Sequence, residues 1–278
     1  MSTTPSLILI TGGSSGIGKA AAIEFGRLGA EIIIQARNPQ KLADAADEIR
    51  QTGAKVHTYS TDLTDPDEAH AAAKQIMAEV GVPDLIINSA GAGEWLSLSE
   101  ANPQHYRDTM ASPYLATAHT CHAFFEAMRK RGSGQMIIVN SAACYFNFPG
   151  ATGYIPARWA MLGLAKALQA DTYGMPVDIS IAIFGKVSSP YFANNPISEQ
   201  RIPKIVSALV KTMSEEDCGK VLVKMSKSRR KTVVKPPMMA LFAYVNRFFP
   251  NLFNWLLRVT GENGNLSQQE TTASGVSS

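Results

Sequence analysis

The chain has 278 residues, 45% of them apolar, which is enough to bury a large core in one α/β domain. A formal net charge of +3 is too small to argue for nucleic acid as a partner. The three cysteines, Cys121, Cys144 and Cys218, have neither metal-ligand spacing nor an even-numbered disulfide framework, so they read as reduced thiols of a cytoplasmic protein.

The N-terminal run MSTTPSLILITGG has no basic n-region or cleavage site, and its apolar part is only strand-length, so no signal peptide is expected there. From that point short apolar runs alternate with helical stretches. Strands are expected at Leu7–Ile10, Glu31–Gln35, Val56–Ser60, Leu85–Asn88, Met136–Asn140 and Ile179–Phe184. Helices are expected at Gly18–Leu28, Pro39–Thr52, Asp65–Val80, Pro103–Arg131 and Tyr154–Tyr173. This alternation predicts a Rossmann-type, doubly wound parallel sheet with helices on both faces. Residues 1–230 are expected to form that domain, 231–260 an apolar amphipathic helical extension, and 261–278 a polar, disordered tail.

The first strand runs into Thr11-Gly12-Gly13-Ser14-Ser15-Gly16-Ile17-Gly18 and then a helix. Glycines in that context permit a tight turn and let the backbone approach a pyrophosphate at the helix N-terminus; an ordinary glycine-rich turn is the plainer alternative. The second strand ends in Gln35-Ala36-Arg37-Asn38. An acidic residue there would hold a ribose 2′-hydroxyl and repel a 2′-phosphate. Arg37 can instead clamp a phosphate, with Ser14 and Ser15 as further donors, so NADP(H) is expected over NAD(H). The bland reading of Arg37 is a solvated surface cation. Asp62-Leu63 follows the third strand, where Thr64-Asp65-Pro66 also offers cap residues and a proline at the first helical position. His119 and His122 lie one helical turn apart, but no acidic or cysteine pattern accompanies them; packed or surface histidines are the preferred reading and no metal is expected.

The most informative stretch is Ile137–Leu164. Ser141 ends an apolar strand, and Tyr154 and Arg158, four apart on a helix, share one face. Reducing a carbonyl with a nicotinamide needs a hydride and a proton for the developing alkoxide. A free tyrosine, with a pKa near ~10, is a poor acid–base at neutral pH unless a nearby cation lowers it. Tyr154 is therefore the candidate acid/base, Ser141 the group that polarises the carbonyl, and Arg158 the cation.

This constellation resembles the Ser…Tyr-x-x-x-Lys site of the classical short-chain dehydrogenases/reductases. The TGxxxGxG turn, Asn88-Ser89-Ala90-Gly91 and Gly185-Lys186-Val187-Ser188-Ser189-Pro190 extend the resemblance over roughly residues 6–192. It implies a cofactor site made of Gly12, Ser14, Ser15, Gly16, Ile17, Gly18 and Arg37, with Asp62 and Leu63 beside the adenine. It further implies Asn88, Ala90 and Gly91 at the sheet centre and the ribose, and Gly185 and Val187 near the carboxamide. Tyr154 and Arg158 would also touch the cofactor, and the residues after Ser188, to about 215, would form a substrate lid. The lid stretch, Tyr191–Thr212, is apolar with few charges. The family commonly forms dimers or tetramers, so a homo-oligomer is expected.

Two departures fall on one pathway. Arg158 stands where the family has lysine, and Pro113 where it has an asparagine that bends the helix and holds a water in a proton relay; shifting the alignment by one residue offers Ser112 instead. Proline can still kink the helix but cannot hold the water. Arginine keeps charge and donors but is bulkier and effectively never deprotonated, so it cannot pass a proton on. Two functions are therefore carried forward: an NADPH-dependent enzyme interconverting a ketone and a secondary alcohol, or a degenerate member that binds NADP(H) and serves as a binding or partner subunit.

After the basic run Lys227-Ser228-Arg229-Arg230-Lys231, residues Met238–Leu257 are rich in Phe, Leu, Met and Trp. Asn246, Arg247, Pro250, Asn251 and Asn254 interrupt them, so the segment is not expected to span a bilayer. Lying in a membrane interface through 236–258, packing on its own domain and closing a subunit interface all remain open. Together with Arg37-Asn38 leading into Lys41-Leu42, this extension is similar to lipid-active members such as 3-ketosphinganine reductases, which implies a small apolar, lipid-like substrate.

Overall fold

In the computed structural model, which describes residues 5–91 and 93–260, the apolar runs pair into one parallel sheet. Strands β1 (Leu7–Thr11), β2 (Glu31–Ala36), β3 (Val56–Ser60), β4 (Leu85–Asn88), β5 (Gly134–Ser141) and β6 (Val177–Phe184) fall where the apolar runs predict them. A seventh, β7 (Thr232–Lys235), joins them in the order β3-β2-β1-β4-β5-β6-β7. Strand β7 lies beyond residue 230, inside the stretch expected to be a separate extension. Its Thr-Val-Val core is β-branched and pairs with Ile181–Ile183 at the sheet edge. The tail expected to be disordered, 261–278, lies outside the described residues.

Side chains alternate across the sheet with period two and feed two packed layers. Ile8, Ile10, Ile137 and Val139 face helices α1 (Gly16–Gly26) and α2 (Pro39–Arg50), burying Phe25 and Ile49. Leu9, Ile86, Met136 and Ile138 face α3 (Pro66–Glu79) and the helices that follow β4 and β5. Burying each Leu or Ile of this kind contributes about 1.5–3 kcal/mol. The helix starts are written in the sequence. The Asn38 side chain accepts the Lys41 N–H, with Pro39 at the first helical position, and Asp65 accepts from Asp67 and Glu68, with Pro66 in the same place.

The single helix expected from Pro103 to Arg131 is interrupted. It consists of α4 (Pro103–Met110), a π turn at Ala111–Leu115 and α5 (Ala116–Arg131). Pro113 sits inside the π turn; it has no N–H to donate and its ring crowds the preceding turn, so the regular ladder widens there. Helix α6 (Tyr154–Asp171) buries Tyr154, Ala157, Arg158, Met161 and Ala165, a spacing of three and four residues that turns one face to the core.

Beyond β6, short helical turns lead to α7 (Glu215–Ser228), which packs on α1. After β7 the chain forms a hairpin of α8 (Pro237–Phe248) and α9 (Pro250–Thr260). One side of this hairpin belongs to the core. Phe253 packs between Phe146 and Phe242 at centroid separations of 5.2 and 5.4 Å, and Asn246 donates to the Tyr145 carbonyl at 2.7 Å. Among the described residues no helix is long and apolar enough to cross a membrane. Phe253→Ala is expected to lower stability by about 3–5 kcal/mol, because it empties a filled aromatic cluster. Exposed Phe249→Ala should change stability by less than about 0.5 kcal/mol. Urea unfolding of both variants checks the contrast.

Candidate functional site

In this strand order β1 has β2 on one side and β4 on the other, so the chain's winding reverses at the carboxyl ends of β1 and β4, where open α/β sheets leave a crevice. A cavity of about 550 Å³ occupies that place. Residues at the ends of six strands line it: Gly12 after β1, Arg37 after β2, Asp62 after β3, Ala90 after β4, Ser141 on β5 and Gly185 after β6.

At the first of these, the glycine turn is bound tightly to the sheet. The Gly12 N–H donates to the Gln35 carbonyl at 2.7 Å, and Thr11 Oγ1 accepts the N–H groups of Ser89 and Ala90 at 3.2 and 3.1 Å. Gly12 has φ +67°, and a Cβ on it would lie 2.8 Å from the Ser89 carbonyl oxygen. Gly18 does not line the cavity; its missing side chain lets α1 pass the Gly12 carbonyl, which a Cβ would meet at 2.4 Å. Ser14, Ser15, Gly16 and Ile17 do line it, and the Ser15 side chain does not cap α1. The uncapped N-terminus of α1 thus opens on the cavity between Gly12 and Gly16, an arrangement that fits a pyrophosphate.

Arg37 and Lys41 stand exposed at the cavity's edge near β2 and β3. Burial pushes the Asp62 carboxyl up, but the Thr64 N–H and hydroxyl at 3.0 and 2.8 Å, aided by the Arg37 charge, hold it below the usual value. Asp62 therefore shapes the turn before α3 as well as facing the cavity with Leu63, while the cap itself is Asp65. Asn88, expected at the sheet centre and the ribose, lies at the sheet centre. It is fully buried beneath the cavity floor, its amide nitrogen 3.5 Å from Cys121 Sγ, while its neighbours Ser89, Ala90 and Gly91 form the wall. His119 meets the Leu63 carbonyl at 3.0 Å and His122 meets His70 at 2.9 Å.

The three candidate catalytic residues come together through one that the sequence reading passed over. Asn140 is buried, its Oδ1 accepts the Ser141 N–H at 2.8 Å, and its amide donates to the Arg158 carbonyl at 3.0 Å. This fastens the end of β5 to the first turns of α6. Ser141 Oγ accepts the Ala143 N–H at 3.2 Å, which leaves its own hydroxyl proton for a ligand. Tyr154 is 6% exposed and packs against Trp95, with ring centroids 5.3 Å apart. The Arg158 guanidinium lies over the Tyr154 ring, its Cζ 4.7 Å from the centroid, a cation–π contact.

Arg158 is 8% exposed and makes no ion pair among the described residues. Its Nη1 approaches Met161 Sδ at 3.7 Å, while Nε is buried with no acceptor. Burial pushes the nearby Cys144 thiol up to about 12 against the pull of this positive charge. Gly91 lies between the guanidinium and Pro113, where a Cβ would meet Arg158 Nη2 at 3.4 Å and Pro113 Cβ at 3.5 Å, and Ser112, not Pro113, faces the cavity. Unmet donors on a buried cation are costly alone and suit a ligand that brings hydroxyl or phosphate oxygens.

Toward β7 the cavity turns apolar, with Phe146, Phe148, Tyr191, Phe192, Ile202, Val206, Met239 and Leu257 in its wall and Val187 at its base. Composition alone gave no signal for Trp95, Phe146 or the two hairpin residues. A clamp also unforeseen holds the segment expected to form a lid. Arg201, 8% exposed, donates to the carbonyls of Trp95 and Gly150 and to Glu100 Oε1 at 2.6 Å, and Ser198 Oγ accepts the Trp95 N–H at 3.2 Å. Tyr191 donates to the Gly93 carbonyl from the same side.

The model of the short chain dehydrogenase family matches residues 6–200. A 3-dehydrosphinganine reductase of Danio rerio is 29% identical over 222 residues, 78% of this chain and 67% of the relative. An estradiol 17-beta-dehydrogenase 11 of Homo sapiens is 26% identical over 257 residues, 92% of this chain and 83% of the relative. Among solved structures, a short-chain dehydrogenase/reductase from Burkholderia phymatum in complex with NAD superimposes with a TM-score of 0.78 at 20% identity, covering 89% of this chain and 94% of that one. A short-chain dehydrogenase from Sphingobium yanoikuyae in complex with NADPH gives 0.74 at 17% identity, covering 98% and 96%. These two likenesses establish the fold.

The Arg201 clamp predicts an acid limit for the lid. The hydrogen bond from Arg201, reinforced by the Ser97 hydroxyl and N–H, holds the Glu100 carboxyl down at about 2 despite partial burial. Its folded pKa is thus below the unfolded value of about 4.3, so the stabilisation is complete above that pH and is lost as pH falls toward the folded value. Thermal midpoints measured from neutral pH down to the acid limit should fall more steeply in the wild type than in Glu100→Gln. Parallel curves would show that the pair contributes nothing.

Proposed function

The chain belongs to the short chain dehydrogenase family, and we propose that within it the protein is an NADPH-dependent oxidoreductase interconverting a ketone and a secondary alcohol on an apolar, lipid-like substrate. The observation that carries this reading is a buried Tyr154 beneath the Arg158 guanidinium, in one cavity that continues from the glycine turn to an aromatic pocket.

When bound, the dinucleotide supplies a hydride to the carbonyl carbon or accepts one from the alcohol. Gly12, Ser14, Ser15, Gly16 and Ile17 would hold its pyrophosphate, and Asp62, Leu63, Ala90 and Gly91 its adenosine half, with Gly185 and Val187 toward its other end. Arg37, with Lys41 beside it, supports NADP(H) over NAD(H), because two cations and no carboxylate end β2. The Ser141 hydroxyl donates to the substrate's carbonyl oxygen, and Tyr154 delivers the proton that the developing alkoxide requires. Arg158 sets a positive charge over the Tyr154 ring face, and its N–H groups would bind the sugar beside the nicotinamide. Since Arg158 does not release a proton, Tyr154 regains its own from solvent in the cavity, past the face that Ser112 presents.

The apolar wall and the relatives named for 3-dehydrosphinganine and estradiol support a substrate with a large apolar part. We place the protein in the cytoplasm as a homo-oligomer, with residues 236–258 in reach of a membrane. A second reading has its own support. Arginine at 158, a cation that does not pass a proton on, together with Pro113 in the π turn, favours a member that binds NADP(H), turns over slowly or not at all, and serves as a partner subunit.

The test is NADPH and NADH consumption against a panel of apolar ketones, with binding titrated in parallel. The enzyme reading expects turnover with NADPH that Tyr154→Phe lowers by about 10²-fold or more at unchanged NADPH affinity. Tight NADPH binding without turnover, restored by Arg158→Lys, would support the second reading. Absence of NADPH binding would contradict both.

A further inference from the structure

The C-terminal hairpin carries apolar side chains on both sides, and the fold uses only one of them. Met239, Phe242, Phe253 and Leu257 are under a tenth exposed, and Met239 and Leu257 reach the cavity. The opposite side presents Leu241, Tyr244, Phe248, Leu252, Trp255 and Val259, each more than half exposed. Steps of three and four residues carry this row along one face of α8 and, past Pro250, of α9. Single exposed apolar residues are ordinary, but a continuous row of large ones marks an interaction surface.

Charge identifies what the row meets. No carboxylate side chain occurs between Asp217 and Glu262, while nine lysines and arginines fall in that span. Three of them are engaged on the domain, Lys220 with Glu216 and Arg229 and Lys231 with Asp178. Arg247 and Arg258 stand exposed on the hairpin itself. A second copy of this face would set like charges against each other with no carboxylate to answer them. Anionic headgroups answer Arg247 and Arg258 without meeting a carboxylate, and the aromatic and aliphatic row fits the boundary between headgroups and acyl chains.

We infer that the outer face of the α8–α9 hairpin docks on an anionic lipid surface. Docking is independent of whether the site turns over. Its consequence for the substrate rests on the lipid-substrate reading: the docked face is the outside of a wall whose inside, Met239 and Leu257, lines the cavity. Helix α9 also packs on the lid turn Lys204–Leu209, which brings Val206 into the same cavity. A lipid-like ketone leaving the bilayer would meet the apolar end of the cavity first.

The test is co-sedimentation of the full chain with phosphatidylglycerol and with phosphatidylcholine vesicles, at low and high salt. The wild type is expected to bind phosphatidylglycerol at least about tenfold more tightly than phosphatidylcholine, since Arg247 and Arg258 face the headgroups, and to weaken with salt. The Leu252→Glu/Trp255→Glu double variant should lose about tenfold or more in affinity, at an unchanged thermal midpoint. A wild type that stays in solution with phosphatidylglycerol, or a folded double variant that sediments equally well, would overturn the inference. So would a wild-type dimer that ignores vesicles and dissociates in the double variant, which would assign the face to a second copy. Loss of the catalytic reading would leave the vesicle result unaffected.

Discussion

A buried guanidinium that has no counter-charge among the described residues is the constraint around which this site is built. Arg158 lies over the Tyr154 ring with Nε lacking an acceptor and only a methionine sulfur near Nη1. Burying a charge in this way opposes folding, so the surrounding structure must hold it. Asn140 anchors its carbonyl, the packed face of α6 fixes its stem, and Gly91 lies against its head. The π turn at Pro113 belongs to the same arrangement, widening the helix that faces α6 where the bulkier cation sits. Unmet donors of this kind recur at functional sites, where a ligand completes what the fold leaves open.

The sheet explains why the parts of the site arrive together. Six strand ends open on one cavity, so turns that are far apart in sequence become its walls without long loops. β7 then adds what the central strands cannot. It pairs with β6, places its last residue beside Phe184, and delivers the chain straight into the hairpin that finishes the apolar end. The hairpin thus does two jobs with opposite faces, a filled aromatic cluster inside and an exposed apolar row outside.

Much of this was legible in the sequence because the signals were local. Apolar runs of strand length, proline after a capping Asn or Asp, and a glycine turn between strand and helix each dictate backbone within a few residues. Ser141, Tyr154 and Arg158 were readable from a strand end and a four-residue helical step. What stayed hidden depends on contacts distant in sequence. The burial of the Asn88 amide beneath the floor follows from packing on Cys121, and the role of Asn140 follows from a carbonyl eighteen positions away. Arg201 joins Trp95, Glu100 and Gly150 across the lid, which no spacing announces. β7 is four residues long beside a basic run, too short for its β-branched pattern to stand out. Pro113 did signal a disturbed helix, but whether it would kink, break or widen it depended on the neighbours.

On the reading proposed for this site, the Arg158 guanidinium costs the fold stability and is kept for a bound dinucleotide. Calorimetric titration of NADPH into the wild type and Arg158→Met, with the thermal midpoint of each measured without cofactor, tests it directly. Methionine keeps the apolar stem and removes the charge. Arg158→Met is expected to be at least as stable as the wild type and to bind NADPH about tenfold or more weaker, the worth of one or two hydrogen bonds from a charged group. A variant that binds NADPH equally well and melts earlier would contradict it, by showing that the guanidinium serves the fold and not the ligand.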